Sequence, residues 1–158
     1  MPCGSTAAEP GKSLSFVRLH MKRASRLHPS QFQVNEAWIA FQLNDAPVHT
    51  EQDGSLNCFA LMDAASCFIL GAELASAAEP EPTQLQVKRL FKTGWAHHKQ
   101  FPVTLFVPKG QFQNILPAEA KRQGISVVPV PESQLLVFIG EAQQGYTAHV
   151  QWGRPSEA

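Results

Sequence analysis

The sequence lacks most of the features that would name a chemistry outright. It holds only three cysteines, Cys3, Cys58 and Cys67, in 158 residues. An odd count with no Cys-x-x-Cys spacing argues against a disulfide framework and against a structural zinc site. Acidic and basic side chains balance at 13 each, so the chain as a whole has no general attraction for nucleic acid or a membrane surface. No apolar run approaches the ~18 residues that a membrane span needs. The opening MPCGSTAAEPGKS has no apolar core of signal-peptide length. There is no Gly-rich phosphate loop, no Gly-x-Ser-x-Gly elbow and no His-Glu-x-x-His. The chain is therefore expected in a reducing cytoplasm, with Cys58 and Cys67 as small core residues.

What is present is the composition of one globular domain: 44% hydrophobic and 16% charged residues. The charge is unevenly spread. Lys12, Arg18, Lys22, Arg23 and Arg26 face only Glu9 within residues 1–30. That surplus predicts a basic, partly disordered N-terminal tail, with a helix over Leu14–Leu27 that ends before Pro29. Residues 31–152 are read as a single domain and 153–158 as a C-terminal tail.

Within the domain the patterning alternates between two periods. Ala37–Leu43 (AWIAFQL) reads as a strand, with Trp38, Ala40 and Gln42 on one face and Ile39, Phe41 and Leu43 on the other. Asp53-Gly54 signals a turn. Leu56–Met62 and Cys67–Leu74 follow as strands joined by Asp63–Ser66, which together suggest an antiparallel meander. Ala75–Pro82 reads as a loop. Thr83 then caps a helix on which Val87, Leu90, Phe91, Gly94 and Trp95 share a face, with Pro102 just beyond its end. Val103–Val107 is an apolar run suited to a strand buried on both faces. A short helix over Ile115–Gln123 stops at Gly124. Ile125–Val130 is a strand that Pro129 directs to a sheet edge. Glu132–His149 fits either a helix beginning near Ser133 or a buried strand, and helix is the reading adopted. The class is α/β, with helices on the faces of a central mixed sheet.

Two stretches carry a resemblance. Leu61-Met62-Asp63-Ala64-Ala65-Ser66 followed by Phe68-Ile69-Leu70-Gly71 is similar to the second and third strands of retroviral-type integrase and transposase cores. Pro108-Lys109-Gly110-Gln111-Phe112 resembles the end of their fourth strand, keeping the Gly and the Phe. The resemblance covers roughly Ala37 to His149 and implies a ribonuclease H-like fold. It also implies two divalent metal ions, Mg or Mn, held by three carboxylates. The first carboxylate belongs three residues past the Trp, where Phe41 stands. The second belongs where Pro108 stands, beside Lys109. The third falls on the last helix, and Glu141, 33 residues beyond Pro108, has about the right interval. The resemblance thus predicts the frame of a metal site without two of its acids.

Three functional readings follow. The first is a non-catalytic ribonuclease H-like domain acting in binding or assembly, with no cofactor and a protein or nucleic-acid partner. The second is a metal-dependent nuclease or strand transferase with a rearranged site of Asp45, Asp63 and Glu141. Against that, an Asp in a tight turn normally bonds its own backbone, which is the role expected of Asp63. The third is a nucleic-acid-binding module using Arg18, Lys22, Arg23 and Arg26, with Lys88, Arg89 and Lys92 on the main helix. Adjacent His97 and His98 diverge on a helix and are read as helix-end residues. Cys58 has no activating neighbour in sequence, and the other histidines have no ligand-like spacing.

Overall fold

The alternation around Trp38 is the seed of the sheet. A computed structural model describes the backbone of residues 26–153 and the side chains of residues 26–146. In it Ala37–Gln42 forms β1. Trp38 and Ala40 enter one apolar core while Ile39, Phe41 and Leu43 enter another on the opposite face. A strand buried on both faces sits inside a sheet, and β1 does, flanked on each side. The basic helix expected over Leu14–Leu27, with Arg18, Lys22 and Arg23, lies almost wholly outside the described residues. Leu27 and Phe32, which lead into β1, already pack against the second core.

The remaining strands are Val48–Thr50 (β2), Gly54–Asp63 (β3), Ile69–Ser76 (β4), Thr104–Pro108 (β5) and Ser126–Val130 (β6). β3 runs antiparallel to β1, with Trp38 opposite Asp63 and Phe41 opposite Ala60. β4 runs antiparallel along the other edge of β3. β5 lies parallel to β1, and β6 parallel to β5. Leu56 of β3 pairs with Ser76 of β4 and with Val48 of β2, so β2 prolongs the line of β1. The order across the sheet is therefore β4–β3–β1–β5–β6. Three antiparallel strands followed by two parallel ones at the far side of the first is the ribonuclease H-like arrangement that the sequence predicts.

Among the described residues three helices cover the sheet: Gln84–His98 (α1), Ile115–Arg122 (α2) and Glu132–Gly153 (α3). The ambiguous final segment is thus helical. Its stripe of Leu135, Phe138 and Ile139 packs on the Phe41 face, and α1 and α2 cover the Trp38 face. α1 begins with a capping box, in which Thr83 accepts from the Gln86 amide and Gln86 accepts from the Thr83 amide. Its Gly94 permits close approach to the sheet: an added Cβ would stand 2.8 Å from both Leu61 Cδ2 and Trp38 Cη2. Gly124 follows α2 at φ +77°, the left-handed conformation that ends a helix. Pro129 lies in β6, which among the described residues pairs on one side only, with β5.

Two expectations need correction. The third meander strand is not Cys67–Leu74 but Ile69–Ser76, so Ala75 and Ser76 are not loop. The turn is longer because the Asp63 amide bonds to Phe68 O at 2.9 Å and Cys67 adopts φ +60°. The second addition is β2 itself, three residues inside a stretch read as turn, held by Thr50 Oγ1 across the Asp53-Gly54 turn. Among the described residues no helix is long and apolar enough to cross a membrane.

Candidate functional site

The carboxylate frame can be located from strand register. Ala37 pairs with Thr104 and Ile39 with Phe106 on the parallel β1 and β5. Continuing that register by two residues sets Phe41 beside Pro108. The two positions that the resemblance assigns to acids are therefore neighbours. Neither can bind a hard cation, which takes oxygen ligands. Phe41 is fully buried and shares its core with Leu135, Phe138 and Ile139 of α3 and with Ala60 and Met62 of β3. The space is filled with hydrocarbon. Past Pro108 the chain turns at Gly110 (φ +89°) and sends Phe112 onto Phe59, edge to face at 5.5 Å between ring centroids. The Lys109 amide bonds to Val130 O, leaving its side chain exposed at the sheet end. The Gly and Phe of the resembled motif thus serve turn and core. The residues present do not fit a two-metal centre at this place.

The three alternative acids occupy different settings. Asp45 is exposed in the bend after β1, and Glu141 is exposed on α3. Asp63 is buried at the end of β3, opposite Trp38. Trp38 lies three residues from Phe41 along β1, roughly 10 Å at strand spacing. Both Asp63 oxygens are engaged: Oδ1 accepts from the Asn35 amide at 2.6 Å, and Oδ2 accepts from the Ser66 amide at 2.9 Å and Ser66 Oγ at 2.7 Å. Asn35, at φ +67°, in turn accepts from Trp38 Nε1 and donates to Gln100 O. Asp63 therefore ties together the entry to β1, the β3–β4 turn and the start of the α1–β5 connection. Burial pushes the nearby Cys67 thiol above its ordinary range, and the Asp63 and Glu141 carboxylates push the same way. Among the described residues no three His, Cys, Asp or Glu side chains converge to hold a metal ion.

The basic residues of α1 divide between its two flanks. Arg89 is bound by Glu73 of β4 through two hydrogen bonds of 3.0 and 3.3 Å, which raises its already high pKa. Thr93 and His97 lie on that flank too: Thr93 against Gly71, and His97 Nε2 3.0 Å from Leu70 O. Lys88 and Lys92 lie on the other flank, exposed, and form no ion pair among the described residues. They border a cleft of about 270 Å³ between α1 and α2, lined also by Phe91, Trp95, Phe101 and Glu119. Arg26 is exposed ahead of β1.

Sequence reasoning missed two buried acids. Glu119 of α2 accepts from Arg122 Nη2 at 2.8 Å and from Gln123 Nε2 at 3.2 Å. Their i+3 and i+4 spacing is visible in the chain, but its burial depends on α1. Glu81 accepts from the amides of Asn114 and Ile115 at 3.0 and 3.1 Å. It caps α2 from more than thirty residues away.

No protein-family model matches the chain, and no curated protein is a significant relative. Among solved structures it is similar to the catalytic core domain of BIV integrase, at 11% identity and a TM-score of 0.46, over 76% of this chain and 74% of that one. It is also similar to a chain of the simian T-cell lymphotropic virus intasome in complex with PP2A regulatory subunit B56 gamma, at 12% identity and a TM-score of 0.45. That match takes in 93% of this chain but spans only 55% of the other. These are similarities of fold.

Proposed function

We propose that the chain is a non-catalytic ribonuclease H-like domain that acts in binding or assembly, in a reducing cytoplasm. It has a basic appendage up to residue 30, a domain over residues 31–152 and a short tail at 153–158. The observation that carries this reading is Phe41, buried against α3 where the fold would need the first metal-binding acid. An acid at that site would need cations or donors around it, and the neighbours are Leu135, Phe138 and Ile139. The test is titration of the chain with Mg²⁺ and Mn²⁺, followed by amide resonances, beside a cleavage assay on single- and double-stranded DNA. The expected outcome is no saturable shift near Asp45, Asp63 or Glu141 and no cleavage. Metal-dependent cleavage that disappears in Glu141→Gln would sink the proposal in favour of a rearranged nuclease site.

A second reading, nucleic-acid binding through the basic N-terminal arm, is favoured by exposed Lys88 and Lys92 and by the surplus of charge before residue 30. Its test compares DNA and RNA binding at several salt concentrations, with and without residues 1–25. A salt slope that shrinks on truncation supports it.

A further inference from the structure

We infer that the cleft between α1 and α2 is a docking site for an acidic peptide segment of a protein partner, one that inserts a bulky apolar side chain between two or more carboxylates. The inference rests on the binding reading above and supplies its partner class.

Leu85, Lys88, Lys92 and Trp95 recur at i, i+3, i+7 and i+10, so they form one stripe along α1, and Lys99 follows just past its end. The stripe borders the core face of the helix on the side of α2. Its apolar members are unusually open: Leu85 is 62% exposed and Trp95 38%. Its cations lack acidic partners among the described residues, whereas Arg89 on the opposite flank has Glu73. Lys99 Nζ instead stands over the Trp95 ring, 5.4 Å from its centre. The one acid in the cleft, Glu119, is 3% exposed, and its oxygens are occupied by Arg122 and Gln123. The cleft thus offers a hydrocarbon floor, a cationic rim and, among the described residues, no free carboxylate at its back.

That combination selects among ligands. Acidic side chains on a partner would meet Lys88, Lys92 and Lys99, and charge complementarity of this kind sets partner choice and encounter rate. A single-stranded nucleic acid would need an open aromatic face for stacking. Phe91 is buried, and Lys99 stands over one face of the Trp95 ring, so the cleft offers no run of open rings for successive bases. The floor is better suited to one inserted apolar side chain, and the cleft volume of about 270 Å³ accommodates one.

The test pans short random peptides displayed on phage against the full chain at physiological salt. Enriched sequences are expected to carry at least two acidic residues around a bulky apolar one. A synthetic peptide of that sequence should shift the amide resonances of Lys88, Lys92, Trp95 and Glu119. The double variant Lys88→Glu/Lys92→Glu, checked for unchanged melting, should bind it ~10-fold or more weakly. Trp95→Ala should lose at least ~10-fold as well. The proposal is overturned by panning that enriches nothing, by enriched sequences without acids, or by binding that survives charge reversal. It is also overturned if oligothymidylate shifts the same residues at lower concentration than the peptide. Panning that enriches nothing would leave the non-catalytic reading standing. Metal-dependent cleavage would remove that reading without altering the peptide result.

Discussion

The carboxylate of Asp63 accepts the backbone N–H of Asn35 at 2.6 Å across 28 residues of sequence. With the two Ser66 donors it makes three hydrogen bonds to a nearly inaccessible charge. Asp63→Ala would leave the Asn35 and Ser66 amides without their acceptor. Bonds to a charged group contribute about 1.5–3 kcal/mol each when a partner is removed, and the three are not additive. The expected loss of unfolding free energy is about 2–4 kcal/mol, read from urea midpoints in metal-free buffer. A loss that appeared only when Mg²⁺ was present would mean that Asp63 is a metal ligand rather than a turn acceptor.

Gly94 and Gly140 make a paired test of packing against propensity. Both lie inside helices, where Gly costs about 1 kcal/mol relative to Ala. At Gly140 a Cβ meets nothing within 4 Å. Gly140→Ala should therefore stabilise the fold by about 0.5–1 kcal/mol. At Gly94 a Cβ would press on Leu61 and Trp38, both fully buried. Overpacking of this kind costs about 1–3 kcal/mol, so Gly94→Ala should be destabilising despite its better helix propensity. Thermal melts of the two variants should move in opposite directions.

Local signals were the legible part of this fold. The two-faced alternation around Trp38, the Thr83 cap, the Asp53-Gly54 turn and Gly124 each act within a few residues, so the sequence displays them. The frame of the candidate site was legible for the same reason: Phe41 and Pro108 are fixed by their position on strands. Their packing was not, because it depends on where α3 lands on the sheet. The ends of β4 were misplaced because a side-chain carboxylate and a left-handed Cys67 close the preceding turn. The α1–α2 cleft was invisible, since its two sides are joined only in space.

Glu81 links segments more than thirty residues apart and yields its own prediction. Asn114 occupies the position before α2 but provides no side-chain cap. Glu81 supplies the acceptor instead, at the positive end of the helix. Glu81→Ala should cost about 1–2 kcal/mol, the usual range for a lost helix cap. The expected signature is local, with faster hydrogen exchange at Asn114 and Ile115 than at the β1 amides. Uniform acceleration across the sheet would show that Glu81 supports the whole core rather than α2.

The pH dependence of stability should be set on the alkaline side by Cys58 and Tyr146, with a further contribution from the raised Cys67 thiol. Burial pushes the Cys58 thiol above its ordinary range, outweighing a hydrogen bond from Tyr146 that acts the other way. The Tyr146 hydroxyl is raised too, first by burial and then by Cys58. Both groups are acids whose folded pKa exceeds the unfolded value, so each stays protonated in the fold after the unfolded chain has ionised. By linkage their contribution is fully present below the unfolded thiol value of about 8.5 and falls as pH rises above it. Urea midpoints measured from pH 7 to about pH 10 should be level at first and then decline. The double variant Cys58→Ala/Tyr146→Phe should show a shallower decline. The same burial should keep Cys58 from reacting with a thiol reagent at pH 8 until denaturant is added. An equal alkaline slope in the variant, or rapid labelling of Cys58 in the native chain, would contradict this account of the α3-side core.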